Sequence, residues 1–197
     1  MATRVPWDVP VRVVPMPPVG IEQQVHRVDP CVALPGVRAV DVVTVRAPGS
    51  AAALLIDIRP IRTTDAADSG TDGTLAELLA TLIAELLATM RDDADDAAVT
   101  VAVDGTVFTR DVLTALARVP VGARRTYAQL AADAGRPRAV RAVASVMARN
   151  RVPLVLPCHR IVPSGGGTGR YGWGDAIKVA LLDAESHSPS PTAGPRA

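Results

Sequence analysis

Between Thr126 and Arg149 the chain is punctuated as two short helices with a sharp break between them. Thr126 followed three residues later by Gln129 is a capping box, in which each side chain satisfies a backbone N–H that the first helical turn leaves free. The helix it opens runs through Ala132 and ends at Gly135, a residue suited to the left-handed conformation just past a helix end. Pro137 fits the first turn of a further helix reaching roughly to Arg149, because no N–H is needed there. Upstream, Val112, Leu113 and Leu116 share one face of a short helix over Phe108–Arg118, closed by Pro120 and Gly122. Two short helices joined by a tight turn, the second bearing arginines, form a helix-turn-helix pattern.

Charge sharpens this pattern. The net charge of the 197 residues is only +1, yet the stretch from Arg118 to Arg151 holds Arg118, Arg124, Arg125, Arg136, Arg138, Arg141, Arg149 and Arg151 against the single acid Asp133. An anionic partner is expected. Lys178 is the only lysine, which suits phosphate recognition by guanidinium forks and equally fits a compositional bias toward arginine. The third helix carries Ala139, Ala142, Ala144 and Ser145 beside Arg138 and Arg141. Small side chains let a helix approach a groove wall while arginines take phosphates or fill a vacated base position; they also pack helices together, and both readings stay open.

The N-terminal half reads differently. Met1 to Gly36 is rich in Pro and Val and is expected to be an extended arm with short strands at most. Val37–Val45 and Ala52–Ile61 flank Pro48-Gly49-Ser50 as a hairpin. Thr74 and Glu77 cap a helix along Leu75–Met90, the clearest helical periodicity in the chain. The acidic stretch from Asp92 to Asp96 is a solvated loop, and Val99–Val103 is a strand before the Asp104-Gly105 turn. A domain boundary is expected there, giving 1–104, 105–185 and a Ser/Pro/Gly-rich disordered tail, 186–197. Cys31 and Cys158 show no CxxC spacing, and Asp8 and several prolines stand where a secretory core would need an apolar run; an intracellular, cytoplasmic chain with free thiols is expected. Leu75–Met90 is too short and too interrupted by Glu77 and Glu85 to span a bilayer.

Cys158 ends the apolar run Val152–Leu156 and is followed by His159 and Arg160. A cysteine so placed is commonly a small buried hydrophobe. Zinc ligation is disfavoured, since Cys158 and His159 are adjacent and no spaced ligands accompany them. A nucleophile would need a base or a nearby positive charge, because an ordinary thiol is only slightly ionised at neutral pH. His159 and Arg160 offer both, although neighbours in extended chain point to opposite sides, so a proton path to His159 should run through water or a bent backbone.

Pro157-Cys158-His159-Arg160-Ile161 resembles the PCHR[VI] signature of O6-alkylguanine-DNA alkyltransferases. The likeness extends through Phe108-Thr109-Arg110, Thr126–Ala131, Arg141-Ala142-Val143, Asn150 and Gly169-Arg170-Tyr171-Gly172-Trp173-Gly174 to Lys178 and Leu181-Leu182, over roughly Gly105 to Glu185. The resemblance implies an α+β chain in which a small sheet-plus-helix domain, ribonuclease H-like, precedes a mainly helical domain of winged helix-turn-helix type. It implies Cys158 as alkyl acceptor, His159 as water-mediated base, Glu185 as the residue polarising His159, and Asn150 as a brace for the active-site turn. Tyr127 and Arg141 would handle the flipped nucleotide and its vacated place, with Thr126, Arg138, Ala142, Ser145, Arg149 and Arg160 as further DNA contacts. Met147, Ile161, Tyr171, Gly172 and Trp173 would line the base pocket, Trp173 narrowing it.

The implied partner is double-stranded DNA containing O6-alkylguanine, with O4-alkylthymine left open, acting on a monomer without metal, organic cofactor or membrane. Flipping is required because a paired base cannot align its alkyl carbon with a buried sulfur. Transfer leaves a thioether, so the protein should act once. Where the family often has Gly, this chain has Ala144 and Ser145; where it has Pro, Arg151 stands, a charge expected near the DNA-facing edge. Two other readings are a lesion-binding protein that flags damage without repair, and a helix-turn-helix regulator with a relic cysteine motif; Cys158 with Asn150, His159 and Glu185 argues against both.

Overall fold

The computed structural model describes residues 11–17, 22–28, 37–46, 53–62 and 99–186. The predicted helix at Leu75–Met90, the acidic stretch after it, Cys31, the Pro48-Gly49-Ser50 turn and all of the expected 186–197 tail but Ser186, which ends a helix, lie outside the described residues. Five strands form one mixed sheet: β1 (Val11–Pro15), β2 (Glu22–Val28), β3 (Val37–Arg46), β4 (Ala53–Arg62) and β5 (Val99–Val103), in the order β1-β5-β4-β3-β2. The expected hairpin is present as the antiparallel β3/β4 pair, and β2 adds antiparallel to β3. β1 and β4 run parallel to β5 on either side of it. Part of the expected N-terminal arm is therefore in the sheet, as edge strands β1 and β2. Val42, Val43, Thr44 and Val45 are buried in succession, which requires cover on both faces of β3 and explains why its sequence reads as a β-branched run without alternation.

The helical half begins with α1 (Val107–Ala117), where Thr106 accepts from the Thr109 backbone N–H and Val112, Leu113, Ala115 and Leu116 turn inward. A two-residue strand β6 (Arg125–Thr126) leads into α2 (Tyr127–Asp133). The capping box is complete: Thr126 N donates to Gln129 Oε1 at 2.8 Å and Gln129 N to Thr126 Oγ1 at 3.2 Å. Gly135 follows at φ 70°, as a helix-ending glycine should. The third helix, α3 (Val140–Ala148), starts later than its sequence suggests. Pro137 does not open it; Ala139 N donates to Arg136 O at 2.9 Å, so Pro137 occupies the second position of a separate tight turn, where its fixed φ is equally at home. Arg138 therefore stands in that turn and not on the helix.

A short 3₁₀ turn (Cys158–Arg160), a two-residue strand β7 (Ile161–Val162) parallel to β6, and α4 (Asp175–Ser186) complete the described chain. Leu116, Leu130, Val143, Leu156, Ile161, Ile177 and Leu181 are buried in one core that also takes in Val42, Leu55 and Ile58 of the sheet. Among the described residues no helix is long and apolar enough to cross a membrane.

Candidate active site

Asn150, just past the end of α3, governs the loop that leads to Cys158. Its Nδ2 donates to Leu156 O at 2.9 Å and its Oδ1 accepts from Val152 N at 3.1 Å, so one carboxamide ties both ends of the loop. Leu156 N also donates to Val152 O at 2.9 Å, and Cys158 N to Leu156 O at 2.8 Å. The loop delivers Cys158, partly exposed, to a cleft of about 440 Å³ that Tyr127, Met147, Asn150, Tyr171, Gly172 and Trp173 help to line. Burial pushes the Cys158 thiol up, while hydrogen bonding from Asn150, the charge of Lys178 and the Tyr171 hydroxyl draw it down. With burial prevailing, the resting thiol keeps its proton at neutral pH, and nucleophilic use needs a base.

That base is available on the far side of the turn. In the 3₁₀ turn successive side chains point about a third of a revolution apart, so Cys158 faces the cleft while His159 and Arg160 face the interior. His159 Nε2 lies 2.9 Å from Glu185 Oε1. Glu185 also accepts from Arg160 Nε at 3.0 and 3.1 Å, from Arg160 Nη2 at 2.7 Å and from Gly122 N at 3.3 Å. Arg160 Nη1 reaches Val119 O at 2.6 Å. Burial works against the Glu185 charge, but the bonds and charges of His159 and Arg160 outweigh it and hold the carboxyl at about 2. An ionised Glu185 fixes the proton of a neutral His159 on Nε2. Burial lowers the His159 pKa below its ordinary value, against the opposing pull of Glu185, and leaves the ring neutral at pH 7. Its Nδ1 is buried without a hydrogen-bond partner among the described residues, a lone pair in position to accept a proton.

The exposed face of α3 carries Arg141, Ala142, Ser145 and Arg149, while Val143, Val146 and Met147 pack inward. Ser145 Oγ donates back to Arg141 O at 3.2 Å, leaving that face smooth. Arg138 is exposed in the preceding turn, and half-buried Tyr127 stands at the start of α2, directly after the capping residue Thr126. Burial, and secondarily the charge of Cys158, raises the Tyr127 pKa, so the phenol keeps its proton.

Two expectations are corrected. Arg160 is buried and committed to Glu185 and Val119 O, so it does not face DNA. Ile161 is buried in the core, on β7 against β6, because the chain turns away from the cleft after the 3₁₀ turn; it does not line the pocket. Arg151, expected as a charge near the DNA-facing edge, is exposed and pairs with the sheet, its Nη2 lying 2.7 Å from Asp57 Oδ2 on β4. Sequence reasoning also left Lys178 without a role. It is buried, with Nζ donating to Ile161 O at 2.7 Å, and its signal was a lone lysine on the apolar face of Ile177, Leu181 and Leu182. The buried Tyr171 hydroxyl, beside Cys158, was assigned only to the pocket wall.

Residues 107–187 match the family described as 6-O-methylguanine DNA methyltransferase, DNA binding domain. Among curated relatives, 84 residues are 44% identical to the regulatory protein ada of Salmonella typhimurium, covering 43% of this chain and 24% of that protein. A stretch of 81 residues is 49% identical to the methylated-DNA–protein-cysteine methyltransferase of Homo sapiens, covering 41% of this chain and 39% of that one. The chain thus spans well under two thirds of the length of either relative. A crystal structure of Mycobacterium tuberculosis OGT in complex with DNA superposes at a TM-score of 0.54, with 26% identity, over 82% of this chain and 92% of that chain.

Proposed function

We propose, from the match of residues 107–187 to the family described as 6-O-methylguanine DNA methyltransferase, DNA binding domain, that the chain repairs O6-alkylguanine in duplex DNA by a single transfer of the alkyl group to Cys158. The observation that carries this reading is the linked set Asn150, Cys158, His159, Glu185: a thiol on a braced turn at a cleft, backed by a neutral imidazole whose orientation a buried carboxylate fixes. The Cys158 proton passes through water to His159 Nδ1, and Glu185 stabilises the imidazolium that forms. Sγ attacks the alkyl carbon, the carbon–O6 bond breaks with its electron pair going to the base, and Tyr127, kept protonated by its burial, gives the departing guanine a hydrogen bond; the base then takes up a proton from water and His159 returns its own to solvent. Thioether formation is irreversible under these conditions, so turnover stops at one.

The exposed, small-residue face of α3 fits a minor groove, with Arg141 entering the stack in place of the flipped base and Arg138, Arg149 and Thr126 meeting the backbone. Tyr171, Gly172, Met147 and Trp173 would enclose the flipped base, the indole limiting the size of alkyl group admitted. We extend the reading to a ribonuclease H-like arrangement for the 1–104 portion and a winged helix-turn-helix for 105–185, supported respectively by the mixed sheet order and by the β6/β7 ladder beside α2. In this reading the protein works as a monomer on cellular DNA, without metal or cofactor.

Incubating the reduced protein with a duplex containing O6-methylguanine should add one methyl mass to the Cys158 peptide, at close to one equivalent per protein. No transfer by folded, reduced protein overturns the reading, and lesion binding retained without transfer would favour a flagging role. A parallel arm with O4-methylthymine defines the substrate range. Arg141→Ala is expected to slow transfer from duplex by roughly tenfold or more, since unstacking a base costs a few kcal/mol, and to leave transfer from free O6-methylguanine within about twofold. Equal losses on both substrates would remove Arg141 from the stack.

A further inference from the structure

Cys158 follows a strained loop. Leu154, at its middle, has φ 74°, a left-handed conformation that persists in a non-glycine residue only where the surroundings over-determine it. Asn150 closes the loop through Leu156 O and Val152 N, and it can do so only if its own backbone is fixed. The next residue, Arg151, fixes it. Arg151 O accepts from Ile58 N at 2.8 Å, and Arg151 Nη2 donates to Asp57 Oδ2 at 2.7 Å. Asp57 is 4% exposed on β4, a strand inside the sheet, and its Oδ2 also receives Arg59 Nε at 2.6 Å. The ladder of β4 with β5 is registered at Leu55 and Val101; further along the strand, the Ile58 amide is given to Arg151 instead.

From these contacts we infer that Arg151 and Asp57 are positioning residues for alkyl transfer, holding the Cys158 loop on the N-terminal sheet. The main-chain bond alone leaves residue 151 free to pivot about it. The side-chain pair supplies a second point and removes the pivot. The chain of contacts then runs from Asp57 through Arg151 and Asn150 to Leu156 O, which also receives Cys158 N. In-line attack is sensitive to such placement, since a displacement near 1 Å costs roughly a hundredfold in rate. Arg151 is thus a link between the two halves of the chain, at a position where a proline would offer no side-chain donor.

The rate readout rests on the transfer reaction proposed above, so the test carries a second readout that does not. Full-length wild type, Arg151→Ala, Arg151→Lys, Asp57→Asn and the Arg151→Ala/Asp57→Asn double variant are compared in three ways. These are single-turnover transfer from an O6-methylguanine duplex, affinity for that duplex, and peptide-mapped alkylation of Cys158 by iodoacetamide. Arg151→Ala and Asp57→Asn are each expected to slow transfer at saturating duplex by about tenfold and to change the Cys158 alkylation rate. Duplex affinity should stay within about twofold, the double variant should be no slower than the slower single one, and Arg151→Lys should recover most of the rate. A wild-type rate in Arg151→Ala overturns the inference. So do additive losses, and so does a loss confined to affinity, which would make Arg151 a phosphate contact. Should Asp57→Asn fail to fold, the exposed Arg151 variants decide alone by the rate lost in Ala and restored in Lys. A wild-type chain that transfers nothing overturns the repair reading instead; an unchanged Cys158 alkylation rate in Arg151→Ala would then overturn this one.

Discussion

Cys158→Ala is expected to bind an O6-methylguanine duplex with close to wild-type affinity and to transfer nothing. The loss of transfer is complete because no neighbouring group can replace the sulfur: His159 is buried behind the turn with Nε2 on Glu185, and the Tyr127 and Tyr171 phenols have raised pKa values. Binding should survive for a separate reason. Cys158 is partly exposed and hydrogen-bonds the loop through its backbone N–H, which alanine keeps. The proposed DNA-facing side chains stand on α3, in the turn before it and at the start of α2, on elements other than the Cys158 loop. Intact-protein mass after incubation and a duplex-binding titration give the two readouts. Methyl gain by the variant would move the acceptor elsewhere, with Cys31 the other thiol in the chain. Loss of binding would mean that the sulfur itself holds the lesion.

What the sequence reveals about this site divides along a physical line. Local signals were legible: the Thr126–Gln129 capping box, the Gly135 stop, the face of Val112, Leu113 and Leu116, and the β3/β4 hairpin all follow from hydrogen bonds or periodicity within a few residues. Pro137 misled because its fixed φ suits a tight turn as well as a first helical turn, and no local feature separates the two. Side-chain direction was harder still. Read as extended chain, Arg160 lies two residues from the nucleophile, on the same side, and looks available to DNA. A 3₁₀ turn instead rotates it into the core, where only the fold could supply Glu185 and Val119 O as partners. The pairing of Arg151 was out of reach for a related reason: its partner Asp57 is 94 residues away, and no spacing rule connects them. The family resemblance carried Glu185 into the site; the bottom-up reading had no means of choosing it.

Glu185 is where the second large effect is expected, and two substitutions separate its roles. Glu185→Leu leaves the buried Arg160 guanidinium with Val119 O alone, and an uncompensated buried charge costs about 3–5 kcal/mol of stability. Denaturant unfolding should register that loss. The wild-type carboxyl, held at about 2 in the folded state, favours the fold when ionised. Its contribution is complete above the unfolded pKa of roughly 4.3 and fades as pH falls from there through about 2. Glu185→Leu should lack that acid-side slope. Glu185→Gln is the sharper test of chemistry. An amide keeps the shape but can present its NH₂ to His159 Nε2, which would move the ring proton to Nδ1 and close the lone pair proposed to accept the Cys158 proton. Loss of the charge also removes the stabilisation of the imidazolium. By analogy with relay carboxylates elsewhere, single-turnover transfer should fall at least about a hundredfold. Residual transfer should also respond to pH differently from wild type, whose rate is expected to hold through neutrality and to fall only on the acid side of the ordinary histidine range, because burial lowers the His159 pKa. A Glu185→Gln protein that folds and transfers at the wild-type rate would remove the carboxylate from the relay and leave it only as the counter-charge of Arg160.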